Sequence, residues 1–404
     1  MSDWTDFGVR KDPLMSARAP ARSNPALAAQ YHEFLTMTDA ALAEPFWGIT
    51  TDGVVVRHQS PRAGVSADAL AAVATHFLDC LSAVTRARLL FAFESNHWRS
   101  WFNPHMNIYR HGVMLEELST VQRDTFLALL KVTLSVRGYT QARDIMRLNA
   151  LIGELSGRSD EFGEWPYFVS FFGPPSPTEA WGFQIDGHHL SINCVVVGDE
   201  LVMTPTFMGS EPCHASAGRF AGTRVLDAEE RVGLDLIRSL DAEQQSAAIL
   251  YGSITGDALP AHLRGWEGRL QAGAFRDNAI LPYCGIRADS FSEAQRTRLV
   301  AAISTYVGWT NDRHAAVKMA DVKSHLDETW FSWMGGTGPS DPFYYRVHSP
   351  VVLIEFDHLP GVVFDNPDPS RHHIHTIIRT PNGGDYGADL LADHHARFDH
   401  HTSH

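Results

Sequence analysis

The chain has 404 residues, a formal net charge of −14 and an apolar fraction of 44%, with 22 Phe and 10 Trp. That composition supplies a large packed core and excludes disorder for most of the chain, and with no Lys/Arg-rich run to neutralise phosphates it argues against a nucleic-acid partner. No apolar run of about 18 residues occurs and the N-terminus lacks an apolar signal-peptide core, so no membrane span is expected and a cytoplasmic protein is.

Length allows one large or two modest domains. Residues 1–24, rich in Pro, Ala and Arg, read as a flexible segment, and residues 25–395 as one large α+β domain. Apolar spacing predicts a helix over Pro25–Ala43 and another over residues 66–93, broken near Leu81–Ser82. An aromatic, irregular stretch follows at 94–112. Ser119-Thr120 is a helix start signal for "VQRDTFLALLKVTLSV", and a second helix runs on after Gly138, the two suited to packing on each other. The helical part thus spans 25–157 and mixed strand and helix fills 158–395.

From Glu164 the texture becomes sheet-like. "EWPYFVSFFGPPSP" and Trp181–Val197 read as strands, and Gly198-Asp199 as a hairpin turn before "LVMT". Residues 227–251 return to helix with Asp227 as N-cap. Helical periodicity resumes over 291–308 and 311–331, and "GGTGPSDP" at 335–342 is a turn. The last strands are "PFYYRVHSPVVLIEFDH" and "HHIHTIIRT", closed by a turn and a short helix in "PNGGDYGADLLADHHA". Residues 396–404 end as a His-rich tail. Helices, strands, helices and strands in turn indicate α+β with mainly antiparallel pairing.

The 22 histidines are the compositional oddity, and their placement suggests chemistry. If Trp181–Val197 is extended throughout, period 2 puts His188 with Leu190, Ile192 and Cys194, and His189 with Ser191 and Asn193. Glu355 lies in "VVLIEFDH", a strand apolar on both faces. A buried carboxylate there must be paired, protonated or metal-bound, and Arg346 and Arg379 are available partners. In "RHHIHTIIRT" His373 and His375 share a strand face, roughly 7 Å apart. Two imidazoles and one carboxylate form a zinc hydrolase set and equally a non-haem iron set. The cysteines, Cys80, Cys194, Cys213 and Cys284, lack C-x-x-C spacing and read as isolated thiols. Neither a nucleophile elbow nor a dinucleotide-binding glycine pattern is present.

Three segments carry a family resemblance: "WGFQIDGHHLSINCVVVGDELVMTPTFMGSEP", "WMGGTGPSDPFYYRVHSPVVLIEFDH" and "HIHTIIRTPNGGDYGADLLADHH". They resemble a bacterial and fungal family known as a domain of unknown function, with motifs of the type GHHLSLN, PxYYRIxGP, LIE[YF]D and HIH[ST]V. The likeness extends over nearly the whole chain and implies no activity. It places His188, His189, Arg346, Glu355, His373 and His375 at motif positions, with Asp385, Tyr386 and Gly387 in the last motif. Glu211 and His348 stand where the family pattern carries an amide, which weakens both as ligands.

The expectation that follows is a metal-dependent enzyme acting on a polar, anionic small molecule. His188, Glu355 and His375, with His373, would hold a divalent ion, zinc ahead of iron or copper, and water activated by it would hydrolyse the substrate. His189 would orient a ligand or meet the substrate. Arg346 or Arg379 would hold an anionic group, and His348 or Glu211 would serve as acid or base. An iron or copper oxidoreductase on the same ligands is the alternative, and a non-catalytic binding protein with a structural Arg–Glu pair is a third. Nothing in the residues indicates an oligomeric state.

Overall fold

The computed structural model describes residues 7–10, 25–58, 64, 66–104, 108–255, 259–265 and 268–392. Most of the stretch expected to be flexible, and the His-rich tail, lie outside the described residues. Residues 7–10 are an exception. Val9 bridges to Phe364, and Arg10 N–H donates to the Val363 carbonyl at 2.9 Å, so part of the N-terminal stretch is tied down.

The first half is largely helical: α1 (Pro25–Ala43), α2 (Asp68–Asp79), α3 (Ala83–Leu89), α4 (Thr120–Thr133) and α5 (Val136–Ser156), with the two-residue strands β1 (Leu90–Phe91) and β2 (Val113–Met114) between them. Ser119 and Gln122 form a reciprocal capping box at the start of α4, as the start signal indicated. Helix α4 packs chiefly on α2, and α5 lies against the sheet that follows. That sheet begins with β3 (Tyr167–Phe172), β4 (Trp181–Gly187), β5 (Leu190–Val197), β6 (Glu200–Val202) and β7 (Thr206–Ser210). Gly198, at φ +59, makes the expected two-residue turn between β5 and β6.

Two expectations need correction at this point. Trp181–Val197 is not one extended run: His188 and His189 are the two residues of a tight turn joining β4 to β5, with Gly187 paired to Leu190. His189 there adopts φ +63. Also, Asp227 is not the N-cap of α6 (Asp227–Ser239). Leu226 holds that position with φ 64 and no side-chain cap, and Asp227 instead pairs with Arg224 in the first turn.

Helical periodicity over 227–251 conceals a break. Asp241 caps a separate helix, α7 (Ala242–Ala248), and the chain continues as β8 (Ile249–Tyr251). A long irregular segment leads to β9 (Ile286–Arg287), then α8 (Glu293–Val307) and α9 (Asp312–Ser324). The helix expected over 311–331 ends at Ser324, because the aromatic run after it forms β10 (Trp330–Gly335). β11 (Phe343–His348), β12 (Leu353–Leu359) and β13 (Ser370–Arg379) complete the sheet.

The sheet runs β1-β3-β4-β5-β7-β13-β12-β11-β10-β8, with β2, β6 and β9 attached beside β3, β5 and β10. Pairing is antiparallel except for the two outermost pairs, β1 with β3 and β8 with β10. Helices cover one face, where Phe77, Phe126, Met146, Leu236, Leu299 and Val322 meet the inward side chains of the strands. The fold is α+β. The other face is covered by irregular chain that contributes Trp98, Trp101, Phe102 and Leu270, with Phe34 of α1 against it. Register sets three rows on that second face: Tyr344–Asp357–His375–Gly209, Arg346–Glu355–Ile377, and His348–Leu353–Arg379. The described residues contain no helix long and apolar enough to cross a membrane.

Close approach of α5 to the turn before α9 depends on Gly138. A Cβ there would meet the Trp309 carbonyl oxygen at 2.2 Å. In an isolated helix Gly→Ala gains about 1 kcal/mol. Here the clash reverses the sign: Gly138→Ala is expected to destabilise the protein by roughly 1–3 kcal/mol, measured as a lower denaturant midpoint at unchanged slope.

Candidate metal centre

Three imidazoles converge on the loop-covered face. His373 and His375 project from one side of β13, and His189 reaches them from the β4–β5 turn. The Nε2 atoms of His189 and His373 are 3.2 Å apart, and those of His373 and His375 are 3.0 Å apart. Among the described residues these three histidines form the one group of His, Cys, Asp or Glu whose donor atoms gather within 4.8 Å. All three are buried.

Local structure explains the convergence. Alternation along β13 puts residues 373 and 375 on one face. A left-handed φ at the second turn residue, a region His enters more readily than most residues, swings His189 toward them. Backbone bonds fix the turn: His189 N–H donates to the Asn103 carbonyl at 2.9 Å, and the His189 carbonyl accepts from Gly209 N–H at 2.8 Å. Gly209 lies directly opposite His375, and a Cβ on it would stand 3.0 Å from the His375 ring and 3.2 Å from the His189 ring. The missing side chain is what lets the two rings close.

Protons are partly assigned by these contacts. His373 Nδ1 lies 2.7 Å from the Pro360 carbonyl, which accepts only, so Nδ1 carries a proton and Nε2 is the nitrogen turned toward the other two rings. Burial, reinforced by His373 and His188, holds the His375 imidazole well below its ordinary value, so it is neutral. Neutral imidazoles aimed at one point are what a transition-metal ion requires. The Asn103 side-chain amide, fully buried beside the turn, has no partner among the described residues.

The other residues singled out in the sequence lie elsewhere. His188 turns toward the helical face, where its Nδ1 is 2.7 Å from Asn149 Oδ1 of α5, and its ring stacks on His189 with centroids 3.9 Å apart. Glu355 is fully buried, but its carboxylate accepts from the Gln271 and Ala272 amides and from Tyr344 Oη at 2.5 Å. It joins neither the histidines nor an ion pair with arginine. Glu211 accepts from the amides of Val362, Val363 and Phe364, and its Oε2 is 3.9 Å from His373 Nδ1. Arg379 is consumed by Asp277, Asp385 and two carbonyls. Arg346 and His348 sit farther along β11 than Tyr344, with Arg346 directly opposite Glu355. Strand spacing places the Arg346 Cα about 12 Å from that of His375.

A family model described as "Protein of unknown function (DUF3500)" matches residues 63–388. No curated protein and no solved structure matches the chain.

The β4 strand carries one titrating group near the turn. Asp186 is buried, and desolvation pushes its carboxyl up to about 7 against the pull of Ser191 Oγ and Phe102 N–H. Its ordinary value is 3.8, so a carboxyl raised this way keeps its proton in the folded state at pH values where the unfolded state has released it, and stability should fall as pH rises between about 4 and 7. Asp186→Asn is expected to flatten the fall, as measured by denaturant unfolding across the same pH range.

Proposed function

We propose, from the premise that this chain belongs to the DUF3500 family, that it is a metal-dependent enzyme whose ion is held by His189, His373 and His375. The observation that carries the reading is the approach of three buried Nε2 atoms to 3.2 and 3.0 Å. Without an ion, three nitrogens so placed must share protons in a buried site, and His375 Nδ1 has no partner among the described residues.

A divalent ion on three imidazoles, with a position left for water, supplies a water of lowered pKa at neutral pH. Zinc suits that donor set. The carboxylate of a two-His, one-carboxylate iron site is not part of it, since Glu355 is held by backbone amides. Copper also accepts three imidazoles, and an oxidoreductase on copper is the second reading. The reaction we assign is hydrolysis of a polar small molecule.

The residues around the ion have separable tasks. The Pro360 carbonyl, with Glu211 behind it, fixes the His373 tautomer. His188, anchored on Asn149, supports the His189 ring from behind. The Asn103 amide offers a donor and an acceptor to a polar substrate.

The test is zinc, cobalt(II) and copper(II) titration of chelator-treated protein, with His373→Ala beside the parent. The parent should take up one tightly held ion more than the variant, a comparison that cancels any ion on the His-rich tail. Equal uptake by the two proteins overturns the metal site. A zinc-loaded parent that turns over no ester, lactone or amide in a broad panel would remove the hydrolytic assignment alone. Gly209→Ala, which pushes a methyl between the His189 and His375 rings, should weaken zinc binding about 10- to 100-fold in a competition titration.

A further inference from the structure

A second cluster, independent of the three histidines, lies on β11. Arg346 and His348 are two residues apart and share the loop-covered face, opposite Ser332 and Trp330 of β10. Arg346 is 5% exposed and His348 1%. Arg346 Nη2 donates to the Pro282 carbonyl and contacts Cys284 Sγ at 2.5 Å, but among the described residues Nε and Nη1 have no partner. Neither ring nitrogen of His348 has one among them either, and Arg346 forms no ion pair with any of them. Its cross-strand neighbour Glu355 is already occupied by Tyr344 and two amides.

Buried polar groups in folded proteins are nearly always partnered, and an unpaired buried charge is strongly unfavourable. Here three N–H bonds of a guanidinium and both nitrogens of an imidazole are left open at one place. Burial and the adjacent Arg346 cation push His348 down to about 3, so the ring is neutral and offers one donor and one acceptor. The formal charges at the cluster are the Arg346 cation and, directly across the strand pair on β12, the Glu355 carboxylate, whose oxygens are taken up by Tyr344 and the amides of Gln271 and Ala272. The covering chain supplies an aromatic wall: the Tyr283 ring lies 4.7 Å from that of His348 and stacks on Trp330. Tyr283 and Cys284 are half-buried, so the cluster lies directly beneath solvent-facing chain. Gly285, at φ +88, holds that chain close, since a Cβ would strike the Phe331 carbonyl oxygen at 2.1 Å.

We propose that Arg346 and His348 form a binding site for a small organic monocarboxylate. The open Nε and Nη1 donors of Arg346 suit the oxygens of a carboxylate, the imidazole completes the hydrogen bonds of that group or of a neighbouring hydroxyl, and Tyr283 packs on the carbon skeleton. Cys284, half-buried, contacts the same guanidinium. A dianion would bring a second negative charge close to the buried Glu355 carboxylate. Because about 12 Å of packed sheet separates this cluster from His375, the site stands whether or not the histidines hold a metal.

Chelator-treated protein titrated with acetate and glycolate, against sodium chloride and sulfate at equal ionic strength, provides the test. Either carboxylate should raise the melting temperature by roughly 2 °C or more over the salt controls. Carboxylate should also slow alkylation of Cys284 by iodoacetamide, followed by peptide mass spectrometry. Both effects should be lost in Arg346→Met and weakened in His348→Asn. Should Arg346→Met fail to fold, His348→Asn and the alkylation assay on the parent protein decide. No carboxylate-specific stabilisation and no protection of Cys284 overturns the proposal, leaving bound water as the partner of these groups. A sulfate effect equal to that of acetate overturns the monocarboxylate assignment. Because the metal has been removed, the result is separate from the fate of the histidine site.

Discussion

Arg379 is the constraint on which the loop-covered face depends. Its guanidinium is fully buried, and every nitrogen is used: Nε on the Ala272 carbonyl, Nη1 on Asp277 and Asp385, Nη2 on the Gly273 carbonyl. Asp277 in turn receives Arg99 and Tyr386 Oη. One strand residue thus ties down the segment that supplies amides to Glu355, the C-terminal turn, and the segment 96–103 whose last carbonyl anchors His189. Breaking a buried charge network of this kind typically costs about 3–5 kcal/mol, because the remaining partner is left buried and uncompensated. The three imidazoles stay in register because irregular chain is fastened to regular sheet at this point.

Much of the architecture was legible in the residues. Periodicity located α1, the α2–α3 break and the capped start of α4, and the β-branched and aromatic runs after residue 342 located β11 to β13. The H-x-H pair on β13 was readable as a shared face, and period 2 leaves no other outcome within a strand. What failed was the assumption of a continuous strand through "DGHHLS". Asn-Gly is the usual signal for a two-residue turn, and His-His carries no such signal, so the turn went unseen. The division of faces nevertheless holds: His188 lies on the helical face with Leu190, Ile192 and Cys194, and it is His189, not the expected His188, that meets the β13 pair.

Glu355 shows a different limit. Its apolar surroundings correctly demanded a partner, and two arginines stood ready in the sequence. Its partners are instead the backbone amides of Gln271 and Ala272 and the Tyr344 hydroxyl. Backbone donors are present at every residue and therefore leave no trace in composition or spacing. The same reasoning explains Glu211, which is satisfied by three successive amides of the 362–364 turn. Asn103 and Cys284 were equally invisible, because their significance comes from elements far away in the chain.

The outermost strands, β1 and β8, are two and three residues long, and each follows a helix without an intervening loop. A sheet this wide could present a long row of unpaired amides and carbonyls at either margin, the template on which a second chain adds in edge-to-edge association. Here the margins are too short to template more than a pair or two of such bonds. At the β8 margin a register shift between Trp333 and Met334 interrupts the ladder as well. The fold therefore carries its own resistance to self-accretion, and an extension of either margin strand would be the change that removes it.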